Sequence, residues 1–288
     1  MEYKTVDESY LDLLTFVLEY GDKSSDRTGT GTIRSSIAPP ITVDCSKNFP
    51  LLSWKKTSIT NIFHELMWFI KGRTDLNYLV DRGVNIWNGD AWQHYIKQKE
   101  FKYYNKTQFL QAVKDGTYFN LGPIYGAQWS AQLPRAIEAI KTNPNSRRII
   151  VNSWNVLQLP LMALPPCHCM FQFIASTEHN FLDIVVTQRS ADIGLGVPYN
   201  IASYALLLHL VAIETGRQPR YLRINFGDAH IYADHVEPLR AALEQDRPFN
   251  YNVQLGIIPQ ERLEDYELEH IKLTNYKPNP FIKLPLSN

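Results

Sequence analysis

The sequence predicts an α+β fold, and three observations predict it. Several stretches space their apolar residues at helical intervals and end in glycine. Several others are short β-branched and aromatic runs. The two kinds do not alternate regularly, which disfavours a doubly wound sheet. The 288 residues, 44% hydrophobic and 20% charged, suffice for one large core or two modest ones. No linker, repeat or low-complexity tract divides them, so a single domain over 1–288 is expected.

The elements follow in order. "VDESYLDLLTFVLEYG" places Tyr10, Leu14, Val17 and Leu18 on one face and predicts a helix ended by Gly21. "SITNIFHELMWFIKG" predicts a strongly buried helix closed by Gly72. Residues 93–119 are polar and aromatic and are expected to form an insertion on the main body. "LPRAIEAIKTN" predicts a third, amphipathic helix. "RRIIVNSW", "CMFQFIAS" and "FLDIVVTQRS" read as strands. "NIASYALLLHLVAIETG" predicts a long apolar helix with Asn200 in a capping position and Gly216 as its stop. "YLRINFGDAHIY" predicts another strand.

Composition narrows the function classes. Lys plus Arg and Asp plus Glu balance at 29 each, which speaks against a general nucleic-acid binder with its usual basic excess. No apolar run approaches the ~20 residues of a membrane span. The acidic, amphipathic N-terminus does not read as a signal peptide. Three cysteines, Cys45, Cys167 and Cys169, make no disulfide framework. So low and odd a count fits a reducing compartment, and a cytoplasmic protein is expected.

The chemistry centres on "MALPPCHCMFQF". A cysteine becomes a nucleophile as a thiolate and needs positive or hydrogen-bonding neighbours. Cys167 adjoins His168, but consecutive strand residues point to opposite faces. Taken alone, Cys167 also reads as a buried structural cysteine. Cys167, His168 and Cys169 make a poor metal site, because no second Cys or His pair has zinc spacing. In "TQRSADIGLGVPYN", Arg189 and Ser190 suit an oxyanion, a guanidinium fork beside a hydroxyl donor. Asp192 and Asn200 flank a glycine-containing turn. Arg147 and Arg148 precede a strand, and Arg27 precedes the Gly/Thr turn of "SSDRTGTGT", which is no phosphate loop because no GK[ST] follows. Each arginine alone fits a solvated surface charge. Together with a candidate thiol they suggest a small phosphorylated substrate.

Eight segments carry a resemblance in the same order: "DRTGTGT", "HELMWFIKG", "LGPIYGAQW", "NPNSRRIIVNSWN", "MALPPCH", "QRSADIGLGVPYNIASYALL", "GDAHIYADHVEPL" and "IKLP". The chain resembles the thymidylate synthase family over nearly its whole length, with 93–119 as the main exception. The resemblance implies a homodimer whose mixed sheet forms the interface, dUMP as substrate and 5,10-methylenetetrahydrofolate as one-carbon donor, with no metal, membrane or nucleic acid needed. Cys167 resembles the nucleophile that adds to C6 of the pyrimidine. Arg27, Arg189 and Ser190 resemble phosphate ligands, and Arg147 and Arg148 the pair donated by the other subunit. Asn200 resembles the amide that reads the uracil edge, and Gln188 a further nucleotide ligand. His230 and Tyr232 resemble the ligands of the deoxyribose hydroxyl, and Glu65 and Tyr125 the groups that manage protons. Asp192, Ile86, Trp87, Leu195, Gly196 and Tyr199 resemble the folate pocket, with Lys55 toward the polyglutamate tail.

The sequence departs from the family pattern at Ser53 and Trp54 of "SWK", at Asn88, at Ser130 and at the terminal "PLSN". Several departures lie on the folate side, where a synthase excludes water before hydride arrives. They favour a phage-like dUMP hydroxymethylase giving 5-hydroxymethyl-dUMP. The alternative is a thymidylate synthase giving dTMP and dihydrofolate. A third reading, a non-catalytic nucleotide- or RNA-binding relative, is opposed by intact Cys167, Glu65, Arg189 and Asn200.

Overall fold

The computed structural model describes residues 4–98 and 102–286, so Ser287 and Asn288, part of the departures above, lie outside the described residues. Helix α1, Val6–Tyr20, starts in a capping box: the Glu8 amide donates to Thr5 Oγ1 at 3.2 Å and the Thr5 amide to Glu8 Oε2 at 2.8 Å. It stops at Gly21, as expected. Strands β1 (Asp22–Ser24), β2 (Thr32–Ser35) and β3 (Ile41–Asp44) follow. None was expected, because a strand this short shows no period. Helix α2, Ile59–Ile70, is capped by Ser58 and buries Ile62, Phe63, Leu66, Met67, Trp68 and Phe69.

Three short helices come next: α3 (Asn77–Val80), α4 (Asn88–Ile96) and α5 (Lys106–Lys114). The described part of 93–119 packs inward. Tyr95, Phe109, Val113 and Phe119 join the common core, and Tyr95 stacks on Phe109 with centroids 4.8 Å apart. Helix α6, Tyr125–Thr142, begins two turns before "LPRAIEAIKTN" and holds Pro134 inside it. Proline favours a first turn, so its place here hides the turns that precede it.

The rest of the chain builds the sheet. Its strands are β4 (Ile150–Asn152), β5 (His168–Ala175), β6 (Phe181–Asp192) and β7 (Gln218–Tyr232), with helix α7 (Gly196–Glu214) between β6 and β7. Helix α8 (Ala233–Leu243) and a separate hairpin, β8 (Gln254–Ile257) with β9 (Ile271–Thr274), complete the order. Seven strands run β1-β2-β7-β6-β5-β4, with β3 also on β7. β6 and β7 are parallel and the other pairs antiparallel, so the sheet is mixed, as the α+β reading requires.

The register sorts the faces. Ile184 pairs with Leu222 and Phe173, and Val186 with Ile224 and Phe171; all six are 0% exposed and face the core, where α7 packs on β6 and β7. The alternate residues are at least partly exposed, with Ile174, Thr187 and Arg223 the more exposed among them. Two expectations change at α7. It is long and apolar enough to cross a membrane by length and composition, contrary to the reading of the sequence, but it is mostly buried as the core helix of this fold. It also begins at Gly196, so Asn200 sits in its first turns rather than at its cap. No side chain caps the helix, and the turn before it is held by Asp192 Oδ1, which accepts from the amides of Gly194 (2.9 Å) and Leu195 (3.2 Å).

Candidate active site

Cys167 stands at the start of β5, immediately after Pro165 and Pro166. Its amide donates to the Tyr125 hydroxyl at 2.6 Å, and the His168 amide to the same oxygen at 3.2 Å. Two backbone donors thus converge on one buried phenol in the first turn of α6. The thiol is half-buried, with Arg189 Nη2 3.9 Å from its sulfur. Arg189 is itself held by the carbonyls of Pro166 and Pro165, both at 2.9 Å, and lies over the Trp154 ring. Burial pushes the Cys167 thiol up, against the pull of the Arg189 charge.

Cys167 opens on a cavity of about 490 Å³. Glu65, Tyr125, Ser190, Asp192, Asn200, His230 and Tyr232 line it, together with Ile86, Trp87, Leu195, Gly196 and Tyr199. The fold brings them from α2, α6 and α7, from the turns that lead into α4 and α7, and from the adjacent ends of β6 and β7. There the parallel register sets Asp192 beside His230. A smaller cavity, about 360 Å³ beneath α1, carries none of the predicted residues.

Glu65 is 8% exposed, and its Oε1 accepts from Trp87 Nε1 at 2.7 Å. Burial raises its carboxyl to about 7, with the indole bond opposing, which suits a group that both takes and gives protons near neutrality. Asn200 Oδ1 accepts from Gln188 Nε2 at 2.8 Å, which orients the amide and leaves its NH₂ for another acceptor. Gln188 is buried behind Asn200 and does not line the cavity. Burial lowers His168 to about 4, so its imidazole is neutral at physiological pH. His230 Nδ1 lies 3.1 Å from Asp228 Oδ1, and burial pushes the Tyr232 phenol up to about 12.

Four predicted arginines stand outside the lining: Arg27, Arg147, Arg148 and Arg189 are all exposed. Lys55 departs from its expected place. It is 2% exposed, its Nζ donates to the Gly194 carbonyl, and burial lowers its ammonium to about 8. A buried lysine on a main-chain carbonyl braces the turn before α7 rather than meeting a flexible ligand tail.

The sequence reading missed Asp90, which lines the cavity one helical turn after Trp87. That spacing was the available signal. Burial raises the Asp90 carboxyl, against the charge of Arg27. The C-terminal segment, read in sequence as a tail on the folate side, adds a wall of Phe281, Leu284 and Leu286. No group of three or more metal-ligating side chains occurs among the described residues.

Trp87, Leu195, Tyr199 and Phe281 form an apolar cleft with one carboxylate, Asp192, at its edge. Such a cleft fits a flat heteroaromatic that carries N–H donors. The thiol side, with Ser190, Asn200 and His230, offers hydrogen bonds suited to a nucleotide. A protein-family model described as thymidylate synthase matches residues 8–288. The thymidylate synthase of Mycoplasma genitalium is 43% identical to this chain, covering 96% of it and 98% of its own length. That of Mycoplasma mobile is 42% identical, with the same coverage. That of Listeria monocytogenes serotype 4b (strain CLIP80459) is 38% identical, covering 97% of this chain and 99% of its own.

Proposed function

This chain belongs to the thymidylate synthase family, and from that premise we propose that it converts dUMP to dTMP, taking the carbon and the hydride from 5,10-methylenetetrahydrofolate and releasing dihydrofolate. Cys167 Sγ adds to C6 of the uracil, as its place at the cavity wall beside Arg189 permits. A bound phosphate would bring the exposed Arg27 and Arg189 over the nucleotide. Asn200, oriented by Gln188, reads the base edge, and His230 and Tyr232 meet the sugar. Glu65 exchanges protons at the pyrimidine. Trp87, Leu195, Tyr199 and the Phe281–Leu286 segment hold the folate and exclude water.

One observation carries the choice of product: the departures at Ser53, Trp54, Asn88 and Ser130 do not line the cavity, and the described part of the terminal segment meets it with the apolar Leu286. Asn88 is 9% exposed and spends its amide on Asn85 at 2.9 Å. The Ser130 hydroxyl donates to the Ala127 carbonyl on the outside of α6. Ser53 lies buried under the Asp7 carboxylate. The folate-side wall is apolar instead, which opposes attack by water. The named relatives are also synthases, so the findings favour dTMP over the 5-hydroxymethyl-dUMP expected from the sequence. The test is mass spectrometry of the product from dUMP and methylenetetrahydrofolate, with dihydrofolate followed by absorbance. Equimolar dTMP and dihydrofolate are expected; 5-hydroxymethyl-dUMP without dihydrofolate would overturn the reading.

The active unit is proposed to be a homodimer formed on the open face of the sheet. Ile174 and Ile150 are 46% and 39% exposed there, and Val156 and Leu157 of the following loop are 70% and 89% exposed. Arg147 and Arg148, just before β4, are exposed and do not line their own cavity, which is compatible with donation to a partner.

A further inference from the structure

We propose that His235 is a positioning residue that hooks the C-terminal segment shut over the cleft. Its imidazole, in the first turn of α8, is 0% exposed. Its Nε2 lies 2.7 Å from the Pro285 carbonyl oxygen. A carbonyl only accepts, so Nε2 carries the proton. Pro285 sits between Leu284 and Leu286, whose side chains wall the cavity. Among the described residues, this is the one hydrogen bond that residues 281–286 make. The apolar wall therefore depends on a single polar anchor.

The other edge of the ring faces the turn that presents Asp192. Nδ1 has no hydrogen-bond partner and lies 3.8 Å from Asp192 Oδ1. A Cβ at residue 194 would stand 2.5 Å from that nitrogen, so glycine is what lets the ring reach this depth. Gly194 is gripped on its remaining sides: its amide donates to Asp192 Oδ1 and its carbonyl accepts from Lys55. The ring of Tyr232, a cavity residue, stands edge-on to the imidazole at 5.5 Å. One side chain thus links the folate-side carboxylate, a nucleotide-side tyrosine and the closing segment. Because it touches no reacting atom, its work is to set the relative positions of groups that do.

The kinetic arm of the test rests on the folate reading of the cleft; the structural arm does not. His235→Phe keeps the ring shape and removes the donor. His235→Gln restores a donor near the Nε2 position. Proteolytic cleavage within residues 281–286 is timed in the full chain without turnover, and KM is measured for each substrate. The Phe variant is expected to be cut there up to about tenfold faster, the size of one net hydrogen bond. Its KM for the folate should rise by a similar factor while that for dUMP stays within about twofold, and the Gln variant should recover most of both. Wild-type cleavage in the Phe variant, a Gln variant as impaired as Phe, or equal losses for both substrates would overturn the proposal. If the wild type makes no dTMP, the function reading fails while the cleavage comparison still judges the hook.

Discussion

The cavity asks opposite things of two buried acids, Cys167 and Glu65. Cys167 is held up by burial and down by Arg189, so thiolate formation depends on the guanidinium staying beside the sulfur. Cys167→Ser is expected to cut tritium release from [5-³H]dUMP by at least about 10³-fold and leave dUMP binding within a few-fold. Release near the wild-type rate would remove Cys167 as the nucleophile. Glu65 shifts from its ordinary 4.5 to about 7 on folding. The folded chain therefore keeps a proton that the unfolded chain loses between those values. This group lowers stability as pH rises through that window, by up to about 3 kcal/mol above it. A glutamine can still accept the Trp87 bond. Glu65→Gln should thus melt several degrees above wild type at about pH 8, with the gain vanishing below about pH 4.5, at the cost of activity. A difference that does not change with pH would refute the burial account.

At the scale of elements, the site depends on where α6 begins. Gly126 follows Tyr125 in its first turn, and a Cβ there would stand 2.1 Å from the Arg73 carbonyl oxygen. Gly126→Ala must push α6 away from the Arg73 main chain and take the Tyr125 hydroxyl off the Cys167 and His168 amides. A stability loss of about 1–3 kcal/mol is expected, read as a lower Tm, together with reduced turnover; an unchanged Tm would show that the two segments part freely. Legibility in the sequence divides along the same lines. α1, α2, α7, β5, β6 and β7 are long enough to show their periods, and their central runs could be read directly. β1 to β3 are too short for that, and Pro134 hid the start of α6. Asn200 resembled a cap because the turn that Asp192 holds before α7 has no period to mark where the helix begins. The cavity residues came from motif resemblance. Asp90 was missed although its spacing from Trp87 was readable, and His235 was missed because its contacts arise only where distant segments meet. Lys55 was misplaced because its partner, Gly194, lies 139 residues away along the chain.

At the scale of the molecule, one face of the sheet is filled by α7 while the other carries exposed apolar groups beside Arg147 and Arg148. If each cleft borrows these arginines from a partner, two inactive variants should repair each other. Cys167→Ser mixed with Arg147→Ala, after subunit exchange, places one complete cleft in each heterodimer, and about a quarter of wild-type activity should return from an equal mixture. No return after verified exchange would count against shared clefts. The lining of the cleft also bears on biosynthesis. Its walls run from Asn61 to Leu286, so nearly the whole chain contributes. Chains leave the ribosome N-terminus first at roughly 5–20 residues per second, and Leu286 emerges after every other lining group. A nascent chain can form α1, α2 and much of the sheet, but it cannot close the cleft before Leu286 is free. Until then it offers an open apolar trough to chaperones.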